Sequence, residues 1–188
     1  MSRQFWSEGL ASAVADGAAI ASSTTETIIF PNVTIPANYM QDGRTLRLTA
    51  RGRWGNVVTA VPTMTFRIRW GGVSGTVLLA SGAIVTPAAA TTNAIWAIHA
   101  LLQTRSNGAT GSIFCMGEVA MFEDAAPTFG TVTNYGVVSG AGSAGVAAPA
   151  AVTVDLSADT ALSLTAQWSA SSASNTLTGH IYTIESLN

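Results

Sequence analysis

Lysine is absent from this 188-residue chain: all eight basic residues are arginine, and only 10% of the residues are charged. Ordinary soluble domains are about 25% charged, and protein interfaces are depleted in lysine while keeping arginine. The composition therefore points to a surface that meets other protein over much of its extent. Cysteine occurs once, at Cys115, which excludes an internal disulfide and a cysteine-rich zinc site. Its expected role is that of a small buried apolar residue. The net charge of -2 gives no general attraction for nucleic acid or anionic lipid. No Asp, Glu or Arg lies between Arg69 and Arg105 or between Asp124 and Asp155, but proline and many Gly, Ser and Thr residues interrupt both stretches. Neither reads as a membrane span, and no secretory leader is expected at the N-terminus.

Helical periodicity is also lacking: no run of ten or more residues repeats at 3.6. What is present is alternation. Over residues 45–54, Leu46, Leu48, Ala50, Gly52 and Trp54 share one parity, and Thr45, Arg47, Thr49, Arg51 and Arg53 share the other. Residues 63–70 repeat the design, with Met64, Phe66, Ile68 and Trp70 on the apolar face and Arg67 and Arg69 on the polar one. Each is expected to be a strand with one buried and one arginine-bearing face. Further strands are expected near 26–34, where Pro31 marks an edge or bulge, and near 76–81, 94–104, 112–122, 152–156, 160–169 and 176–187. Eight or nine such strands separated by Gly, Asn and Ser turns predict an all-β, antiparallel sandwich or barrel. Residues 127–151 are expected to form a long loop. Residues 1–24, poor in patterned apolar sequence, read as an extended N-terminal arm preceding a domain at 25–188. Phe5 and Trp6 on that arm either anchor a neighbour or fold back on the chain's own core.

Chemistry-bearing motifs are scarce. Gly140-Ala-Gly142-Ser-Ala-Gly145 matches a dinucleotide fingerprint in letters only, because Pro149 and a strand near Val152 leave no room for the helix that such a loop must open. No Gly-x-Ser-x-Gly elbow occurs. His99 and His180 sit singly in strands, with no metal-ligand spacing around them. The acidic residues are scattered, apart from the Glu123-Asp124 pair, which reads as solvated turn chemistry. No catalytic residue, metal or cofactor is assigned, and the chain is not expected to be an enzyme. The arginine ladder, Arg47, Arg51, Arg53, Arg67 and Arg69, admits three readings: a solvated face, a nucleic-acid patch lacking the aromatic partners that it would need, or a set of cations meeting carboxylates of a neighbouring subunit. Were both strands in one sheet, the five guanidinium groups would form a single positive patch.

Four stretches resemble the jelly-roll structural proteins of tailed bacteriophages: residues 25–54 (TETIIFPNVTIPANYMQDGRTLRLTARGRW), 65–72 (TFRIRWGG), 101–118 (LLQTRSNGATGSIFCMGE) and 160–175 (TALSLTAQWSASSASN). Capsid decoration (cement) proteins and the heads of phage fibres share this likeness, which extends over residues 25–188. The resemblance implies a jelly-roll β-sandwich and a virion structural protein: a homotrimer on the capsid surface, assembled in the bacterial cytoplasm, that bridges subunits of the major capsid protein without nucleic acid or membrane. The alternative that it implies is a receptor- or carbohydrate-binding head of a tail fibre or spike, in which loop aromatics such as Phe129 or Tyr135 would stack on sugar. Phe5, Trp6 and the five ladder arginines are the interface candidates. Far-UV circular dichroism of the purified chain is expected to be that of a β-protein; a spectrum dominated by helix would exclude the sandwich.

Overall fold

A computed structural model describes residues 7–56, 61–87, 90–122, 132–138 and 148–187. Every regular element among them is a strand: β1 (Glu8–Ser12), β2 (Ile20–Ala21), β3 (Thr27–Ile28), β4 (Val33–Ile35), β5 (Thr45–Asn56), β6 (Thr63–Trp70), β7 (Thr76–Ala80), β8 (Ile84–Val85), β9 (Thr91–Ser106), β10 (Gly111–Phe122), β11 (Val132–Val138), β12 (Val152–Val154), β13 (Thr160–Trp168) and β14 (Thr176–Ser186). An eight-stranded sheet runs β1-β14-β5-β9-β10-β11, with β12 beside β10 and β2 beside β14. The opposing six-stranded sheet runs β3-β13-β6-β7, with β4 beside β13 and β8 beside β6. All pairings are antiparallel. The chain crosses between sheets after β2, β4, β5, β8, β12 and β13, so the antiparallel jelly-roll sandwich expected from the sequence is the architecture found.

The alternation explains why these segments pair this way. In β5 and β6 the apolar parity is buried without exception, from Leu46 to Trp54 and from Met64 to Trp70. Sheets packed face to face lie about 10 Å apart, a gap that large side chains must fill from both sides. Trp54 and Trp96 enter it from the eight-stranded sheet, and Phe66, Trp70 and Trp168 enter from the other. Phe66 meets Trp96 across the gap with ring centroids 5.2 Å apart. Cys115 is buried in the same core, as expected. Three indoles also find backbone acceptors: Trp54 donates to Phe122 O, Trp70 to Asp155 O and Trp96 to Thr178 O.

Two strands depart from the sequence reading. Pro31 splits the expected 26–34 strand into β3 and β4, both pairing with β13 at the sheet margin, because proline cannot donate to a ladder. The expected 127–151 loop contains β11, which pairs with β10 from Met116↔Val138 to Phe122↔Val132; its turn-rich composition hides a strand that main-chain bonds to a long neighbour stabilise. The described part of the 1–24 arm is extended and lies along β14 through β1 and β2. Ala13 N donates to Tyr182 O and Gly17 N to Gly179 O, and Ile20 enters the core. Phe5 and Trp6 lie outside the described residues.

Strand β5 passes so close to β14 at Gly52 that a Cβ there would collide with the Thr178 carbonyl oxygen and stand 2.7 Å from the Trp96 indole nitrogen. Gly52→Ala is therefore expected to reduce the unfolding free energy by about 2 kcal/mol, the cost of overpacking a core that cannot move aside. A urea midpoint equal to that of the parent chain would show that the ladder opens there freely.

Candidate functional site

The ladder arginines lie in opposite sheets. Strand β5 belongs to the eight-stranded sheet and β6 to the six-stranded one, so faces pointing away from a shared core point away from each other. The single five-arginine patch does not form. On the six-stranded sheet, Glu26 lies between two guanidinium groups. Arg69 Nε donates to Glu26 Oε1 at 2.5 Å and Arg69 Nη2 to Oε2 at 2.7 Å, a bidentate pair, while Arg67 Nη1 donates to Oε2 at 3.0 Å. The Thr165 hydroxyl also donates to Glu26, Arg67 reaches Gln167 Oε1, and Arg69 reaches Gly75 O. All three charged side chains are only 13–15% exposed. Burial works to raise the Glu26 pKa, but the hydrogen bonds from Arg69 and Thr165 and the charges of Arg67 and Arg69 outweigh it and hold the carboxyl below its ordinary value.

The eight-stranded sheet presents a different outer face. Arg47 is matched in register by Glu185 on β14, and its Nη2 lies 2.6 Å from Glu185 Oε2. Arg51 and Arg53 are exposed and have no ion pair among the described residues. Register places Arg51 beside Ile181 and Ala97, Arg53 beside Thr178 and Ile95, and Leu101 beside Met116. Ile95, Leu101, Met116 and Ile181 are 39–57% exposed, so this one face carries two large apolar side chains beside Arg51 and Arg53 and two more in the row of Arg47. His99 and Glu118, opposite each other in register, are exposed between them. His180 Nδ1 lies 2.8 Å from Asp16 Oδ1, tying the arm to β14.

At one end of this face lies a depression of about 320 Å³ lined by Gly55, Asn56, Ala90, Thr91, Thr92, Asn93, Ser174 and Thr176. Gly55 is its floor: a Cβ there would stand 2.9 Å from Thr91 O and 3.2 Å from Thr176 Oγ1. Behind it, the buried Asn56 donates through Nδ2 to Thr86 Oγ1 and Pro87 O and accepts the Thr91 N–H on Oδ1. Sequence reasoning missed this feature. Its signal was Gly55 itself, since a glycine that continues a strand marks a bulge or a close approach. Among the described residues no three His, Cys, Asp or Glu side chains gather as a metal site. Phe129 and the Gly140–Gly145 run lie outside the described residues, and of Tyr135 only the backbone is described.

No family model matches the chain, and no curated protein matches it. Among solved structures it is similar to the CBM2 module of Lactobacillus casei BL23 phage J-1 evolved Dit, with 10% identity, a TM-score of 0.36 and 97% of each chain covered. A likeness that loose has no bearing on activity.

Because the folded-state pKa of Glu26 lies below its unfolded value, its stabilising contribution is complete above the ordinary carboxylate pKa and is lost as the pH falls through the folded value. Thermal stability should therefore drop on acidification below about pH 4.5. Glu26→Gln should cost about 2 kcal/mol near neutral pH and flatten that acid limb, as calorimetry from pH 3 to 7 would show. A variant with an unchanged limb would assign the acid sensitivity to other carboxylates.

Proposed function

We propose that the chain is a non-catalytic, adhesive structural protein of a tailed-phage virion that docks on a neighbouring virion protein through the outer face of its eight-stranded sheet. One observation carries this reading: a single sheet face exposes Ile181 and Ile95 beside Arg51 and Arg53, and Leu101 with Met116 further along it in the row of Arg47. Apolar residues with arginine and without lysine are the composition of a protein interface core, and a lone exposed guanidinium fits a partner carboxylate. Arg51 and Arg53 are assigned to the contact. Arg47, Arg67 and Arg69 are assigned to the monomer, because Glu185 and Glu26 already complete them. The finer placement, a homotrimeric cement protein on the major capsid protein with Phe5 and Trp6 docking beyond the arm, rests on the phage resemblance.

A second reading, a receptor- or carbohydrate-binding head of a tail fibre or spike, is favoured by the depression at the end of the same face, to which Thr92, Asn93, Ser174 and Thr176 bring polar groups. Small-molecule sites are concave, with a few well-placed polar groups, and a purely adhesive face has no need of one.

The docking reading is tested with Leu101→Asp combined with Met116→Asp. Both side chains are solvent-facing, so the double variant should keep the parental melting temperature and yet lose at least tenfold in co-sedimentation with phage particles. Parental association would overturn the assignment of this face. Immunogold labelling of virions separates head from tail.

A further inference from the structure

We infer that the depression floored by Gly55 is a binding site for an acidic saccharide, with Arg53 holding the sugar carboxylate. The inference deepens the second reading above and rests on it.

The local backbone is built to make the hollow. The β5–β9 register shifts between Trp54 and Asn56, a bulge of the kind that re-aims side chains next to functional sites. Asn93, on the facing strand, has a left-handed φ of 56°, which asparagine tolerates better than most residues. Gly55 lets the chain approach Thr91 O and Thr176 Oγ1 so closely that a Cβ would crowd both, which draws the walls of the hollow together at its floor. The three hydrogen bonds of buried Asn56 tie the end of β5 to Thr86, Pro87 and Thr91. The hollow thus has a rigid back wall and is preorganised before any ligand arrives.

Chemistry then selects the ligand. The side chains of Thr92, Asn93, Ser174 and Thr176 make no hydrogen bond to the described residues, and they offer three hydroxyls and one amide at the rim. Such groups match the alternating donors and acceptors of sugar hydroxyls. Arg53 precedes Gly55 by two residues on the same strand face, about 7 Å along it, and is exposed without an ion pair among the described residues. A guanidinium there can hold a carboxylate through two parallel N–H donors. Ile95, paired with Arg53 in register and 49% exposed, supplies an aliphatic surface for the C–H face of a pyranose ring. Other ligand classes fit less well. A nucleotide would require an aromatic stacking surface and several cations or a backbone N–H cradle for its phosphates, whereas the hollow is walled by small polar side chains and Arg53 is the one cation next to it on the strand face. A peptide strand would need a free edge, and β5 is paired on both sides by β14 and β9.

The experiment uses the full chain on an array of bacterial surface glycans, half of them bearing carboxylated sugars. The strongest binder is then titrated by calorimetry beside its carboxyl-reduced neutral counterpart. Binding should be confined to carboxylated glycans, with at least a tenfold preference over the neutral counterpart. Arg53→Gln should abolish that preference while leaving residual affinity for the neutral sugar. Gly55→Ala should weaken both; should it fail to fold, Thr176→Val with Asn93→Ala tests the same walls without crowding the backbone. Equal binding of acidic and neutral glycans, or a preference that survives Arg53→Gln, overturns the inference and leaves the receptor reading standing. Binding to no glycan overturns both.

Discussion

The inner faces of two antiparallel sheets must fill one gap, and the rest of the molecule is arranged around that requirement. Trp54 and Trp96 enter from one side, and Phe66, Trp70 and Trp168 from the other. An indole in that space also needs an acceptor for its N–H, and three of the four described indoles take a backbone carbonyl. Close-packed interiors tolerate little change in volume, which is why Gly52 and Gly179, on adjacent strands, leave no room for a Cβ. Gly52 allows the close approach of β5 to β14, and Gly179 allows Phe30 and Ile29 to pack against β14.

Packing the apolar parity of β5 and β6 inward from opposite sheets decides the electrostatics. Five arginines on one surface would repel one another; two separate surfaces solve the problem in two ways. On the six-stranded sheet a single carboxylate, Glu26, is held by Arg67 and Arg69 with Thr165 completing its acceptors, and this pins the short β3 edge to β13 and β6. On the eight-stranded sheet Arg47 has Glu185 across the ladder, while Arg51 and Arg53 point outward beside aliphatic neighbours. One face is thus closed electrostatically within the chain. The other keeps cations available for a ligand or partner.

The docking and sugar-binding readings share Arg53 and Ile95 and extend from them toward opposite ends of that open face. Leu101 and Met116 lie toward the β10 side, whereas the hollow at Gly55 lies at the far end, where the β5–β9 ladder loses register. Regular ladder presents a flat surface suited to protein. A bulge with a missing side chain presents a concave one suited to a small ligand. The N-terminal segment adds a further constraint, since β1 and β2 cover the β14 edge that would otherwise be a template for pairing with another chain.

Much of the fold was legible in the sequence because two-residue alternation is a local property. The cores of β5, β6, β9, β10, β13 and β14, the inward tryptophans and the absence of helical segments follow from residue parity alone. Strands β1, β2, β8 and β11 were not legible: they are short or turn-rich and exist because a longer neighbour offers unpaired backbone groups. Parity likewise showed that Arg47, Arg51, Arg53, Arg67 and Arg69 point outward, but it could not say in which direction outward lies. That depends on which sheet each strand joins, a choice made by contacts between residues far apart in the chain, such as Thr165 with Arg67 and Ile181 with Arg51. The hollow at Gly55 is of the same kind. Its floor and walls come from β5, β9 and the approach to β14, and only pairing in three dimensions brings them to one place.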